Sequence, residues 1–434
     1  MNTSYLKNKV NSFEVYHTTS QALNAELTKN ETDFVVEGTS ETIAITVVKD
    51  KKIGFAYTND IKKFKQTADK AIQMARANTA DKDFKGFVKP QKIKKIKNFD
   101  NRLLNYSLSD FARLKKGFIK GMKSVNNKIM LSNGYYGKEI QKIRVINSEG
   151  VNLQDKSAIN SFTYEFVLKH RNEIISLAGA KADIKPLTPG IFQEEAKRVL
   201  ALANKQAVNT MQCNAVFHPE ALASLIHKTL IPNINAENTQ QKKSIFLNKL
   251  NKKIMSEKLT ITDNATTKGL LATRSFDCEG TPSQNNTIIH KGTLKTFLYN
   301  NYTAKKEVKN STGNAVRSGV SLPSVGANNI IINPGKEKNM IQAIKKGIYV
   351  RDLLGVHTMN ALTGDFSLGV LEGFYIGDGK IKYALKNAMI AGNVYDMLNK
   401  IITISEEQIH AFTGNGAYYL PEISFENIKL IGQN

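Results

Sequence analysis

Thr42-Ile43-Ala44-Ile45-Thr46-Val47-Val48 places Ile43, Ile45 and Val47 on one face, the alternation of a half-buried strand. A polar turn at residues 49–52 follows, and residues 53–57 (Ile-Gly-Phe-Ala-Tyr) return as the hairpin partner. The period then changes. Ile61, Phe64, Ala68, Ala71, Ile72 and Ala75 recur at helical spacing, which predicts an amphipathic helix over residues 61–77 with Asn59 and Asp60 at its cap.

Upstream, residues 33–37 form a short strand candidate. Downstream, a lysine-rich connector leads to a helix over residues 110–125, capped by Ser109, with Phe111, Leu114, Phe118 and Met122 as its apolar face. Residues 142–147 and 151–154 predict a hairpin around Glu149-Gly150. Phe162, Tyr164, Phe166 and Leu168 alternate, and residues 173–177 pair back across a turn at 170–172. Phe192, Ala196, Val199, Leu200, Ala203 and Ala207 mark a helix joining two halves, with the main boundary near Asn209. The second half is strand-rich. Residues 287–290 and 293–298 flank Lys291-Gly292, while 374–376 and 380–384 flank Asp378-Gly379, a type I′ hairpin signal. Residues 329–333 and 423–431 add strands; residues 219–231, 340–348 and 393–401 predict helices. The expected class is α+β: an N-terminal α/β domain over residues 1–100, a central domain of hairpins with the linking helix over 101–209, and a β-rich C-terminal domain over 210–434.

A formal charge of +23 invites a nucleic-acid reading. Only nine of the 61 basic residues are arginine, the side chain that reads phosphates and bases in fixed fork geometry. The lysines are also spread along the chain, so a solvated basic surface is favoured over a groove, and the excess could draw an acidic partner subunit or acidic peptides. No stretch approaches the roughly 18 uninterrupted apolar residues of a membrane helix. The first residues lack the apolar block of a secretory signal. Two distant cysteines, Cys213 and Cys278, exclude a disulfide framework, and the expected compartment is the cytoplasm.

The search for chemistry returns mostly absences. A hydrolytic zinc needs several His, Cys or carboxylate ligands about 2 Å from one ion. His218 and His227 are nine residues apart on one predicted helix, roughly 13 Å at the helical rise, too far to share an ion. Lys228 follows His227 where a catalytic Glu would be wanted. No Gly-x-Ser-x-Gly elbow or phosphate-binding loop occurs, and Gly414-Asn415-Gly416 is explained by turn chemistry. No catalytic or metal-ligating residue is assigned. One segment departs from plain core patterning: residues 357–367 crowd polar groups around a glycine. Asn360, Thr363, Gly364, Asp365 and Ser367, with Gly392 and Asn393 downstream, are the candidate substrate-binding residues, Asp365 being expected to accept backbone hydrogen bonds. The same composition suits a turn satisfied by its own side chains.

Five ordered matches make the chain resemble the TldD/PmbA family: Lys52–Thr58 with Asn59-Asp60, Phe276-Asp277-Cys278-Glu279-Gly280-Thr281-Pro282, Ser311-Thr312-Gly313-Asn314, Thr363-Gly364-Asp365-Phe366-Ser367 and Ile390-Ala391-Gly392-Asn393. The resemblance implies an α/β N-terminal part and a β-rich C-terminal part that dimerise around an enclosed chamber. It implies two kinds of subunit, TldD-type chains with a His-Glu-x-x-x-His zinc motif and a C-terminal Cys, and PmbA/TldE-type chains without them. The zinc motif falls on His227-Lys228-Thr229-Leu230-Ile231-Pro232, and the Cys near residues 414–416. This chain therefore resembles the PmbA/TldE type. The expectation is no cofactor of its own, zinc in a TldD-type partner, and joint action on unfolded or short peptides. An autonomous homodimeric peptide-binding protein is the alternative, and a basic nucleic-acid-binding protein a more distant one.

Overall fold

Strand β1 (Ser12–Thr28) turns through Lys29 and Asn30, both at positive φ, into β2 (Glu31–Lys49). A second tight turn at Asp50 and Lys51 leads to β3 (Lys52–Thr58). These backbone signs are those of type I′ turns, whose twist matches antiparallel strands. The computed structural model describes residues 3–413 and 416–432 of the chain. In it the segments 33–37 and 42–48 are one 19-residue strand. The polar stretch between them, Gly38-Thr39-Ser40, carries no hydrophobic alternation, yet its backbone stays in register with Ala22, Gln21 and Ser20 of β1. Ladder pairing, which side-chain pattern does not report, carries the strand through.

The predicted helix over 61–77 opens with a 3-10 turn at Ile61–Lys63, where Asp60 accepts the Lys62 N–H at 2.9 Å, and continues as α1 (Phe64–Ala77). Its apolar stripe is buried against Phe13, Val15, Ile43, Ile45 and Val47, apart from the half-exposed Ile61. Gly54 permits the approach, because a Cβ there would lie 2.0 Å from the Ala71 carbonyl oxygen.

Helix α2 (Leu108–Val125) is capped by Ser107, not Ser109. Ser107 and Asp110 exchange hydrogen bonds between side chain and backbone, which satisfies two end groups at once and so starts the helix earlier. Strands β4 (Ile129–Asn147), β5 (Asn152–His170) and β6 (Glu173–Asp183) complete a six-stranded antiparallel sheet in the order β3-β2-β1-β4-β5-β6. One sheet thus draws strands from both sides of residue 100. Helix α3 (Gly190–Ala201) packs beside α2, with Phe118, Phe162 and Phe192 in mutual ring contact at 4.7–5.3 Å. The helix stops before Ala203 and Ala207, because Lys205–Gln206 pairs instead as a short parallel strand.

The opposite face of this sheet, at Tyr16, Ala44 and Val145, meets Phe276, Cys278 and Ala315 of the second half. That half is built on a twelve-stranded mixed sheet. Its longer strands are β7 (Met211–Phe217), β8 (Ile261–Asn264), β9 (Asn285–His290), β10 (Asn329–Ile332), β11 (Lys346–Leu354), β12 (Asp365–Gly377), β13 (Lys380–Leu385), β14 (Met389–Asn393), β15 (Ile401–Thr413) and β16 (Gly416–Ile431). Strand β16 pairs with β7, β10, β14 and β15. The Asp378-Gly379 turn has both φ values positive, as the hairpin signal predicts.

Residues 340–348 are not helical. They form turns and then the start of β11, where Gly347 comes so close to β7 that a Cβ would lie 2.4 Å from the Asn214 carbonyl oxygen. Parallel pairing with β7 overrides local propensity there. Helix α4 (Pro219–Ile234) runs through the core, with Leu222, Leu225, Ile226 and Leu230 fully buried. Helix α5 (Val394–Asn399) is shorter than the predicted 393–401, because Ile401 already belongs to β15. Among the described residues no helix is long and apolar enough to cross a membrane.

Candidate functional site

Helix α4 starts on His218, whose Nδ1 accepts the Glu220 N–H at 3.2 Å, with Pro219 in the first turn where its missing N–H costs nothing. Along the same helix, His227 Nδ1 lies 2.7 Å from the Tyr418 hydroxyl on β16. Burial, helped by Lys228, holds His227 below the usual histidine pKa, so the ring is neutral near pH 7. A neutral imidazole is a competent ligand, but its neighbours are the wrong groups. Lys228 supplies an ammonium and Pro232 a ring without donor atoms. Among the described residues no group of three or more His, Cys, Asp or Glu is arranged to hold a metal ion. The residues present do not fit zinc.

Gly414 and Asn415 lie outside the described residues. Gly416 does border this place: a Cβ on it would be 2.9 Å from His227 Nδ1 and 2.5 Å from the Tyr418 ring. Helix α4 continues past Pro232 to Asn233, a fully buried side chain whose amide nitrogen reaches the Ala361 carbonyl at 3.1 Å and the Tyr395 hydroxyl at 2.8 Å. Tyr395 in turn donates to the Thr229 carbonyl at 3.2 Å. The polar loop before β12 is therefore tied to the histidine-bearing helix.

Within that loop, Asn360 Oδ1 accepts the backbone N–H groups of Leu362 and Thr363 at 3.0 and 3.1 Å. Its carbonyl accepts the Gly364 N–H at 2.9 Å. Asp365 receives the Thr363 hydroxyl at 2.5 Å and the Asn393 amide at 2.8 Å. Those two bonds, Thr363 first, hold its exposed carboxyl below the usual aspartate pKa. Asn393 also caps α5, accepting from the N–H groups of Tyr395 and Asp396. Asn360, Thr363, Gly364, Asp365 and Asn393 are thus brought together. Ser367 and Gly392 sit further along the β12–β14 ladder, opposite Ala391 and Phe366. The backbone donors expected for Asp365 are replaced by side-chain donors, because β12 begins at this residue and its register sets Asn393 directly across. His357 is exposed in a separate 3-10 turn at Val356–Thr358.

A second cluster escaped the sequence reading. Arg198 on α3 pairs with Glu195, with Glu220 of α4 at 3.1 Å and with Glu372 of β12, and Lys181 on β6 bridges Glu195 and Glu220 at 3.0 Å each. The available signal was Glu372 itself, a carboxylate set between Val370-Leu371 and Gly373-Phe374 in an otherwise apolar strand. The Asp277 turn is likewise an internal hub. Its carboxylate accepts the N–H groups of Glu279, Thr281 and Ala315 at 2.9–3.1 Å.

Comparison with known proteins agrees with this architecture. Residues 210–432 match the family profile described as PmbA/TldA metallopeptidase C-terminal domain, and residues 13–78 match its domain 1. An uncharacterized protein of Methanocaldococcus jannaschii is 32% identical over 91% of each chain. A metalloprotease TldD homolog of Buchnera aphidicola is 24% identical over 84% of this chain and 79% of its own. The crystal structure of TldE from Thermococcus kodakarensis superposes with a TM-score of 0.92 at 25% identity, covering 99% of this chain and 98% of that one. Two profile matches, a near full-length relative and a common fold lead to one conclusion: the chain belongs to the TldD/PmbA family.

Proposed function

We propose that this chain is a PmbA/TldE-type subunit without a zinc of its own, which pairs with a zinc-bearing TldD-type chain and shapes the chamber in which unfolded or short peptides are cut. The observation that carries the reading is the state of helix α4. Its one candidate ligand, His227, is hydrogen-bonded to Tyr418, and Lys228 and Pro232 stand where a base and a second ligand would be required. A zinc held by the partner would supply a polarised water for peptide hydrolysis. This chain's part is positional: the loop fixed by Asn360, Asp365 and Asn393 presents an exposed polar rim, and Ser367 and Gly392 offer an exposed strand surface beside it. The compartment proposed is the cytoplasm, in keeping with two free, buried cysteines.

Co-expression with a TldD-type chain, followed by separation and metal analysis of each subunit, tests this directly. The expected result is a mixed dimer in which zinc and chelator-sensitive peptidase activity follow the TldD-type chain. Stoichiometric zinc on the isolated chain, with cleavage abolished by chelator, would overturn the reading.

A further inference from the structure

A cavity of about 320 Å³ lies where β1 and β2 meet the connector around residue 84 and the start of the short helix Asn301–Lys306. Four carboxyl groups line it, those of Glu14, Asp81, Glu237 and Glu279, and no Lys, Arg or His does. That is the reverse of the molecule as a whole, which carries 61 basic against 38 acidic residues. Glu14 is paired with Arg317, which is not part of the lining. Asp81, Glu237 and Glu279 make no ion pair within 4 Å among the described residues, while Arg317 and Lys305 act on Glu279 from further away.

The rest of the wall is aromatic and polar. Phe84 and Phe87 meet edge to face at 5.2 Å, and the Tyr302 hydroxyl donates to Asp81 at 3.1 Å. Thr46, 4% exposed and on the same sheet face as Glu14, keeps a buried hydroxyl without a hydrogen-bond partner among the described residues. Glu279 is 7% exposed and uses one oxygen to accept the Asn301 N–H at 2.8 Å. Glu14 and Glu279 are buried and Asp81 and Glu237 partly exposed, so the cleft presents an acidic wall with no lysine or arginine in its own lining, which favours a cationic guest. A metal ion is a poor match, since no three ligating groups converge here. Aromatic faces beside carboxylates suit an organic cation, and the size, at the low end of the about 300–1,000 Å³ of small-molecule sites, suits an alkylammonium.

We propose that this cavity is a binding site for a primary organic ammonium group, recognised by Glu237 and Glu279 as counter-charges, by Phe84 and Phe87 as π faces and by Thr46 as a hydroxyl acceptor. A lysine side chain and the amino end of a short peptide present the same head group. Burial, and then Asp277, push the Glu279 carboxyl up to about 8, so near neutral pH it holds a proton that it gives up when an ammonium group binds beside it.

Isothermal titration of the full chain with n-butylammonium chloride tests the site, with 1-pentanol, a neutral alcohol one methylene longer, as the apolar control and calcium chloride as the metal control. Saturable butylammonium binding, about tenfold or more tighter than 1-pentanol, is expected. Glu279→Gln, which keeps an acceptor for Asn301, and the half-exposed Glu237→Gln should each weaken it at least about fivefold. Glu237→Gln keeps the test decisive should the buried substitution unfold the chain. Tri-alanine with a free amino end and N-acetyl-lysine amide distinguish the two sources; binding of either, lost in the same variants, supports the assignment. Equal response to pentanol, calcium displacing the amine at equal concentration, absence of saturable binding, or unchanged affinity in Glu237→Gln would each overturn it.

Discussion

Gly364 holds a φ of +83°, and the Cβ that an alanine would add there falls 2.7 Å from the Tyr395 ring. Left-handed backbone costs an L-residue about 1–2 kcal/mol, and overpacking adds about 1–3 kcal/mol. Gly364→Ala should therefore lower stability by about 2–5 kcal/mol, read from a urea unfolding curve; an unchanged midpoint would show that the loop yields freely. Asp365 gives a second prediction. Its pKa is depressed by Thr363 and Asn393, so its contribution is present above the ordinary aspartate value of about 3.9 and is lost as pH falls through the lower folded value. Asp365→Asn should lower the melting point slightly at neutral pH, where the ionised form contributes, and flatten the acid limb of a thermal-melt series. Composition alone pointed to the residues that meet here. It did not disclose who bonds to whom, because Asp365 faces Asn393 only through a strand register that joins residues 28 positions apart. Nor did it link the loop to helix α4, a contact made by Asn233 through Ala361 and Tyr395.

Among elements, α3, α4, β6, β11 and β12 converge on the Arg198 cluster. Glu372, 1% exposed, and Glu195, 3% exposed, both pair with this guanidinium, with Lys181 also on Glu195 and Arg351 at 3.9 Å from Glu372. Arg198→Ala removes the main counter-charge of two buried carboxylates and should cost about 3–5 kcal/mol, whereas Arg198→Met with Glu372→Gln should recover most of it. Denaturant midpoints of the two variants decide the matter. Asp352 of β11, in the same neighbourhood, is pushed up to about 6 by burial and by Glu220 and Glu372. Between about pH 3.9 and 6 the folded chain keeps a proton that the unfolded chain releases, so stability falls as pH rises through that window and then levels. Asp352→Asn should remove this slope, worth on the order of 3 kcal/mol, from a pH series of melts. Elements with a strong local period, such as α1 and the Asp378-Gly379 hairpin, were readable from the chain. The helix expected over 340–348 failed because a non-local parallel partner, β7, decides the conformation of Gly347–Val350.

For the molecule as a whole, Glu14 of β1 with Arg317 is the most deeply buried of the ion pairs that join the two halves among the described residues. Replacing Arg317 by Leu should destabilise by about 3–5 kcal/mol, and Glu14→Gln in the same chain should restore part of the loss, since the orphaned charge is then gone. Thermal midpoints of both variants check the coupling. This long-range pair, 303 positions apart, had no local signature. The division into a strand-and-helix first half and a strand-rich second half was legible because turn residues and periodicity repeat locally. One feature of the large sheet governs how the chain can assemble. Strand β16 is the last of the described strands to leave the ribosome, yet it supplies ladder partners to β7, β10, β14 and β15. Until it arrives, strand edges and the apolar surface around Phe217 and Ile330 stay uncovered on a nascent polypeptide, so synthesis faces a window of aggregation hazard that closes only with the final residues of the sheet.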